Sequence, residues 1–137
     1  MKTWTVQMPV TITQEDVDAI MTSALEGGIT YWATEIMVTK WADEKMFASD
    51  QISRGGEIWI YDNEEAAWRK LNLELFLKGF QIWLEKGYDP KGSASSSGGR
   101  NTSYSVIFEG GLNPLNLDGA VADGIVQCAL FGDIIYG

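Results

Sequence analysis

The sequence predicts a single α+β domain over residues 1–137, with a mixed or antiparallel sheet of about five to six strands and three helices packed on one face. Three observations predict this class. Apolar and polar residues alternate over several short stretches, which is typical of half-buried strands. Elsewhere apolar residues recur every three or four positions, which is typical of helices with one buried face. Strands and helices are interleaved without regular βαβ units, as in α+β proteins.

The first two elements are a strand and a helix. Residues 4–12 alternate between apolar and polar side chains, so we expect a strand with one buried face. Pro9 lacks a ladder donor and places this strand at an edge or at a bulge. Thr13 then caps a helix, with Asp16 at the capping-box position. The core stripe of this helix consists of Val17, Ile20, Met21, Ala24 and Leu25.

Two glycine pairs mark joints between helical and extended segments. Gly27 and Gly28 end the first helix, where a left-handed glycine is the usual stop, and a strand over residues 29–39 follows. The second pair, Gly55-Gly56, follows a short helical turn that Ser49 is placed to cap.

A hairpin follows the second glycine pair. The period-2 pattern of residues 57–62 predicts a strand with Trp59 and Tyr61 on one face, opposite two isoleucines. The polar turn that follows predicts a return strand over residues 67–71, with Trp68 packing across the two strands.

The second helix has the strongest helical pattern in the chain. Asn72 caps it and Gly87 stops it, and Gly79 within it predicts a close approach by another backbone or ring. We expect its buried face to hold Leu73, Phe76, Leu77, Phe80, Trp83 and Leu84.

The last third of the chain begins with a loop. Residues 89–103 are rich in Ser and Gly, a composition typical of a flexible loop, and residues 104–108 form a short strand. Asp118 caps a final helix that stops near Gly132, and residues 134–136 return as a terminal strand. The inner face of this helix holds Val121, Ile125, Cys128 and Ala129.

The composition excludes several classes of function. The chain carries 10 basic and 19 acidic residues, a net charge of −9, so direct binding to nucleic acid is not expected. It contains no histidine, which excludes Ser-His, Cys-His and His-metal sites within one chain. The lone Cys128 has no internal disulfide partner, and no apolar run reaches the length of a membrane span. We therefore expect a cytoplasmic protein with no membrane partner.

Four segments resemble a family of small, uncharacterised bacteriophage proteins. They are residues 24–32, 49–56, 76–89 and 122–137, which leave out the Ser/Gly loop. These motifs are structural joints, so the resemblance implies a phage source and no catalytic residues. It also implies a role in inhibiting host defence, within the cytoplasm of the host cell.

The strongest candidate site is an anion site at the second joint. Glycine N–H groups at Gly55 and Gly56 can surround phosphate oxygens while Arg54 binds them, and Arg100 in the Ser/Gly loop can close over the anion. The aromatic side chains that can stack on a base are Trp32, Trp59 and Tyr61. The simpler interpretation is a turn with a solvated arginine, beside aromatic residues that belong to the core.

These features predict a non-enzymatic binding protein. It sequesters a small nucleotide-derived immune signalling molecule, of the cyclic nucleotide or cyclic ADP-ribose type, and needs no cofactor or metal. The alternative is an acidic inhibitor that mimics nucleic acid and binds a host nuclease such as a CRISPR effector. A ligand trap needs converging arginines, whereas a mimic needs acids spread over one exposed face. Six tryptophans in so small a domain also predict a homo-oligomer.

Overall fold

The protein combines helices with a small antiparallel sheet, which confirms the α+β class. The computed structural model describes residues 1–86, 107–108, 110–113 and 117–137. Its regular elements, in chain order, are α1 Gln14–Ser23, β1 Glu35–Lys40, β2 Glu57–Asp62, β3 Ala67–Leu71, α2 Leu73–Lys86, β4 Ile107–Phe108, β5 Gly111–Leu112 and α3 Gly119–Phe131. A π-helical turn, Ala24–Gly28, extends α1, and two 3-10 turns, Ala48–Asp50 and Ile52–Arg54, precede β2. The predicted loop at 89–103 lies outside the described residues.

The main sheet is smaller than the predicted sheet of five to six strands. Among the described residues it has three antiparallel strands in the order β1-β2-β3, and β4 pairs with β5 in a separate two-stranded ladder. The hairpin of β2 and β3 has the predicted bounds, with Tyr61 opposite Trp68. β1 starts at Glu35 because the backbone over 29–33 turns instead of extending: both Trp32 and Ala33 donate to the carbonyl of Ile29.

Two predicted strands, at residues 4–12 and 134–136, are absent. A strand needs a neighbouring edge, and within the described part of the chain the first segment is bonded to the rest of the fold from Thr11 N to Gly110 O, at 2.6 Å. At the other end, the backbone N–H groups of Ile135 and Tyr136 both donate to the side-chain oxygen of Gln127. The backbone of the C-terminal segment is therefore bonded to a side chain of helix α3 instead of pairing with a strand.

The predicted N-terminal caps of the three α-helices are confirmed, whereas the cap predicted at Ser49 is wrong. Ser49 lies inside the 3-10 turn Ala48–Asp50, whose N-cap is Phe47. Thr13 and Asp16 form the capping box of α1, while Asn72 and Asp118 accept backbone hydrogen bonds at the starts of α2 and α3. Gly132 ends α3 in the left-handed conformation, with φ 75°. No helix within the described ranges has the length and apolarity needed to cross a bilayer.

The predicted left-handed stop at Gly27 and Gly28 is wrong. Neither glycine has a positive φ, because the chain leaves α1 through the π-helical turn. A glycine is required at position 28 for another reason: a Cβ there would lie 2.6 Å from the carbonyl oxygen of Gly119. The joint is therefore a close contact between the end of α1 and the start of α3.

One core joins the helices to the inner face of the sheet. Phe76 and Phe80 are buried, which confirms the register of α2, whereas Leu77 is exposed and was wrongly placed on the buried face. Gly79 lies against the backbone of Ala129, which confirms the predicted close approach and brings α2 and α3 together. Of the other residues predicted to be core, Val17, Ile20, Met21 and Ile125 are buried, and Leu25, Leu84 and Ala129 are partly buried.

Candidate functional site

The two faces of the three-stranded sheet differ in exposure. Ile58, Ile60 and Leu71 point into the core and are fully buried. On the other face, Met37 and Trp68 are exposed, and Trp59 and Tyr61 are half-buried. We call these four residues of the outer side, Met37, Trp59, Tyr61 and Trp68, the aromatic face.

Strand register assembles the aromatic face. Residues directly opposite each other on neighbouring strands lie on the same side of a sheet. Met37 pairs with Trp59 across β1 and β2, and Tyr61 pairs with Trp68 across β2 and β3. The rings of Tyr61 and Trp68 meet edge to face, with centroids 5.2 Å apart. These contacts place the four side chains next to one another on a surface that is open to solvent.

Charged groups surround the aromatic face. The Glu57 carboxylate accepts hydrogen bonds from Thr39 Oγ1 at 2.8 Å and from Trp59 Nε1 at 3.2 Å. These two bonds favour the ionised form and lower the pKa of the Glu57 carboxyl. Lys70 is exposed and lies opposite Trp59 on β3, and Glu35 lies opposite Tyr61 on β1.

At the predicted anion joint, the positive charge of Arg54 is already paired. Its Nη1 lies 3.1 Å from Asp18 Oδ2 and 3.2 Å from Asp18 Oδ1, and it also donates to Asp50 O at 2.8 Å. Ser53 Oγ donates to the same carboxylate at 2.6 Å. Arg54 therefore joins its 3-10 turn to α1, and its charge is offset by Asp18.

The two glycines of this joint also have internal roles. Gly55 has φ +95°, which a side chain would strain, and its N–H donates to Ile52 O. Gly56 N–H donates to Gln51 O at 2.7 Å, and a Cβ at Gly56 would lie 2.8 Å from Lys40 O. The two amide donors needed for an anion nest are thus engaged within the turn. The remaining cation proposed for the anion site, Arg100, lies outside the described residues.

Trp32 belongs to the core and is not placed to stack on a ligand. Its side chain is buried, and its indole Nε1 donates to Asp123 Oδ1 at 2.8 Å. The ring packs against Phe131 and Tyr136, with centroids 5.6 and 5.3 Å away. Of the three aromatic residues proposed for base stacking, only Trp59 and Tyr61 share a solvent-facing surface.

A polar cluster that joins α3 to the turn after α1 was not predicted from the sequence. Asp123 accepts hydrogen bonds from Tyr31 OH at 2.6 Å and from Gln127 Nε2 at 2.8 Å, besides the bond from Trp32. Burial raises the pKa of the Tyr31 phenol, and its hydrogen bond to Asp123 raises it further. The available signal was Asp123 and Gln127 four residues apart on an otherwise apolar helix.

A fully buried carboxylate, Asp62, holds the other described arginine, Arg69. Asp62 accepts hydrogen bonds from Tyr136 OH at 2.9 and 3.0 Å, and its ion pair with Arg69 spans 3.4 Å. Burial and the bond to Asp62 raise the pKa of Tyr136 to about 12. The guanidinium of Arg69 also lies 5.4 Å from the centre of the Phe131 ring. Arg54 and Arg69 are therefore paired with different carboxylates and do not converge on one site.

Comparisons with known proteins identify no relative. No protein-family model matches the chain, and neither a curated protein nor a solved structure does. Within the described ranges, no group of three or more Asp, Glu, Cys or His side chains is arranged to hold a metal ion. The features of the described residues that bear on function are the aromatic face, the pairing of Arg54 and Arg69 with carboxylates, and the acidic net charge.

Proposed function

We propose that this chain is a non-enzymatic binding protein that docks onto another protein through its aromatic face. The observation that carries the proposal is the exposure of Met37 and Trp68 beside Trp59 and Tyr61 on one side of the sheet. Tryptophan, tyrosine and methionine are enriched at the centres of protein interfaces, where charged residues form the rim. Glu35, Glu57 and Lys70 supply such a rim here.

The charge of the chain supports a partner with a basic surface. The net charge is −9, and the two described arginines are offset by carboxylates within the fold. Complementary charge speeds association and selects against partners of the same sign. The resemblance to bacteriophage proteins leads us to propose a host defence protein, for which a nuclease with a basic groove is the fitting class.

A second candidate is sequestration of a nucleotide-derived signalling molecule. The observation that favours it is the placement of Trp59 and Tyr61 on one face, with Lys70 across from Trp59. Rings of this kind stack on bases, and a lysine can bind a phosphate. It is the weaker candidate, because small ligands are usually enclosed in concave sites and a sheet face is open.

Photo-cross-linking in bacterial host cells tests the docking surface. A photoreactive amino acid replaces Met37 in one variant and Phe47 in the other; Phe47 is also exposed but lies outside the sheet. We expect a discrete cross-linked partner from position 37 and none from position 47. Equal cross-linking at both positions, or none at position 37, would contradict the proposal.

Titration of the identified partner then measures how much the aromatic face contributes to the binding affinity. The double variant Met37→Thr with Trp68→Thr keeps residues suited to strands and should weaken binding at least about tenfold. Phe47→Thr should bind as the wild type does.

Calorimetry with cyclic dinucleotides and ADP-ribose tests the second candidate. Nucleotide binding by the wild type that is lost in Trp59→Ala would favour sequestration over docking.

A further inference from the structure

We propose that residues 3–8 form a strand that adds to the free edge of β1 in a second copy of this chain. The inference is independent of the proposed partner, because it uses the edge of the sheet and not the aromatic face. It rests on a segment that has the pattern of a strand but pairs with no strand among the described residues, and on a sheet edge where apolar side chains are exposed.

The donor segment, residues 3–8, has the residue pattern of a strand but pairs with no strand among the described residues. Trp4 and Val6 are 82% and 86% exposed, and Met8 is exposed as well, although all three alternate with polar residues as in a half-buried strand. The segment leaves the fold at Thr11, whose N–H is bonded to Gly110 O, immediately before the capping box at Thr13. The C-terminal end of the segment is therefore fixed to the fold, while its apolar side chains are exposed to solvent.

The acceptor is the outer edge of β1. This strand lies at the end of the sheet order, so the side away from β2 has no strand partner among the described residues. Ile36 is 39% exposed, whereas Ile60, the residue of β2 that pairs with it, is fully buried. Val38 is half-buried beside the fully buried Ile58. The row of apolar side chains on the inner face of the sheet therefore reaches the outer edge of β1, where Ile36 stays exposed.

Length and charge both fit the pairing. Residues 3–8 extend over about 20 Å, the span of a six-residue strand, and β1 also has six residues. Pro9 ends the donor strand because it has no N–H for a ladder. Residues 1–14 carry Lys2 and no carboxylate, whereas all 19 acidic residues follow them. A slightly basic segment thus meets an acidic body.

A second copy is the occupant that these features favour. An exposed strand edge pairs readily with an extended segment of another chain, using backbone hydrogen bonds for affinity and alternate side chains for specificity. Two copies related by a two-fold axis can exchange segments, so that each free β1 edge is covered once. The exchange would bury Trp4 or Val6 against Ile36, which neither chain covers alone.

The mass of the chain in solution tests the exchange. Multi-angle light scattering at micromolar concentration should give twice the 15.2 kDa chain mass for the wild type and a single chain mass after deletion of residues 2–9. Trp68→Thr, on the aromatic face, should leave the dimer intact. A wild-type monomer, or a dimer that survives the deletion, would overturn the proposal.

Proline variants distinguish strand pairing from general apolar contact. Successive N–H groups of a strand point to opposite sides, so only one of Thr5 and Val6 donates to β1. Thr5→Pro and Val6→Pro should therefore weaken dimerisation unequally, by about tenfold or more at one position and far less at the other. Equal effects at both positions would show contact without a ladder and would contradict the inference.

Complementation assigns the acceptor edge. A chain lacking residues 2–9 keeps its edge but has no donor, and Ile36→Lys blocks the edge while keeping the donor segment. Each variant alone should be a monomer, and an equimolar mixture should form a one-to-one heterodimer visible by native mass spectrometry. A mixture that remains monomeric would overturn the assignment to β1.

Discussion

The indole nitrogen of Trp32 donates a 2.8 Å hydrogen bond to Oδ1 of Asp123, which fixes the turn after α1 to helix α3. Asp123 Oδ2 accepts from Tyr31 OH, the residue before Trp32, at 2.6 Å. Gln127 donates to the same carboxylate and accepts from the backbone of the C-terminal segment. Asp123 and Gln127 together therefore fix the turn after α1 and the C-terminal segment to helix α3.

Replacing Asp123 should destabilise the fold strongly. Asp123→Ala leaves the buried indole N–H of Trp32 without its acceptor. Gln127 Nε2 loses one acceptor and keeps two, Tyr31 OH and Tyr136 O. We therefore expect the free energy of unfolding to fall by about 1–3 kcal/mol. Asp123→Asn keeps an oxygen for Trp32 and should cost less. Urea unfolding followed by tryptophan fluorescence measures both, with Glu26→Ala as an exposed-carboxylate control expected within about 0.5 kcal/mol of the wild type. Equal stability of Asp123→Ala and the control would contradict this role.

Two glycine-to-alanine changes should have opposite consequences. A Cβ at Gly79 would overlap the backbone of Ala129, so Gly79→Ala should force α2 and α3 apart and cost at least about 2 kcal/mol. A Cβ at Gly27 would meet no atom within 4 Å, and the φ of Gly27 is not positive, so Gly27→Ala should be neutral or stabilise by up to about 1 kcal/mol. Thermal unfolding of the two variants measures the difference, and similar midpoints would contradict the packing argument.

The side chain of Gln51 should be essential to the loop before β2. Gln51 is fully buried: its oxygen accepts from the backbone N–H groups of Ala42 and Asp43, and its nitrogen donates to carbonyls of the same loop. Gln51→Leu has nearly the same size but leaves these groups unpaired, so we expect a loss of about 1–3 kcal/mol. Gln81→Leu, on the exposed side of α2, should change stability by less than about 0.5 kcal/mol in the same urea titration.

The sequence predicted those parts of the fold that depend on neighbouring residues. The capping box of Thr13, the cap at Asn72 and the β2–β3 hairpin each arise from a local pattern, and each is found. The close approach at Gly79 was also predictable, because a glycine inside a strongly apolar helix has few other uses.

The parts that failed depend on contacts between distant segments. Residues 29–33 have the pattern of a strand, but Trp32 turns inward to reach Asp123 on α3, 91 positions away. The Arg54 joint looked like an anion site because its pairing with Asp18, 36 positions earlier, has no local signature. The segment at 4–12 has the pattern of a strand, yet the pattern does not say which chain supplies its neighbour.

Alkaline pH should destabilise the protein through groups that hold their protons only when folded. Burial raises the pKa of the Cys128 thiol from 9.0 to about 12, and the pKa of Tyr136 rises from 10.0 to about 12. Below about pH 8 both groups are almost fully protonated in the folded and unfolded states, so they add little pH dependence. Between pH 9 and 12 the unfolded chain releases these protons while the folded chain keeps them, so the free energy of unfolding should fall as pH rises.

Cys128→Ala isolates the thiol's share of this effect. Urea unfolding at about pH 8, 9, 10 and 11 should give a shallower decline for the variant between about pH 9 and 10, where only the unfolded thiol ionises to a large extent. Comparing the slopes of unfolding free energy against pH removes the pH-independent destabilisation caused by loss of the Cys128 sulfur.

The reactivity of the thiol gives a second test. Below about pH 9 the thiol should resist Ellman's reagent in the folded protein and react after unfolding, because Cys128 is buried. Identical slopes for the two proteins, or rapid reaction of the folded thiol, would contradict the buried, protonated state.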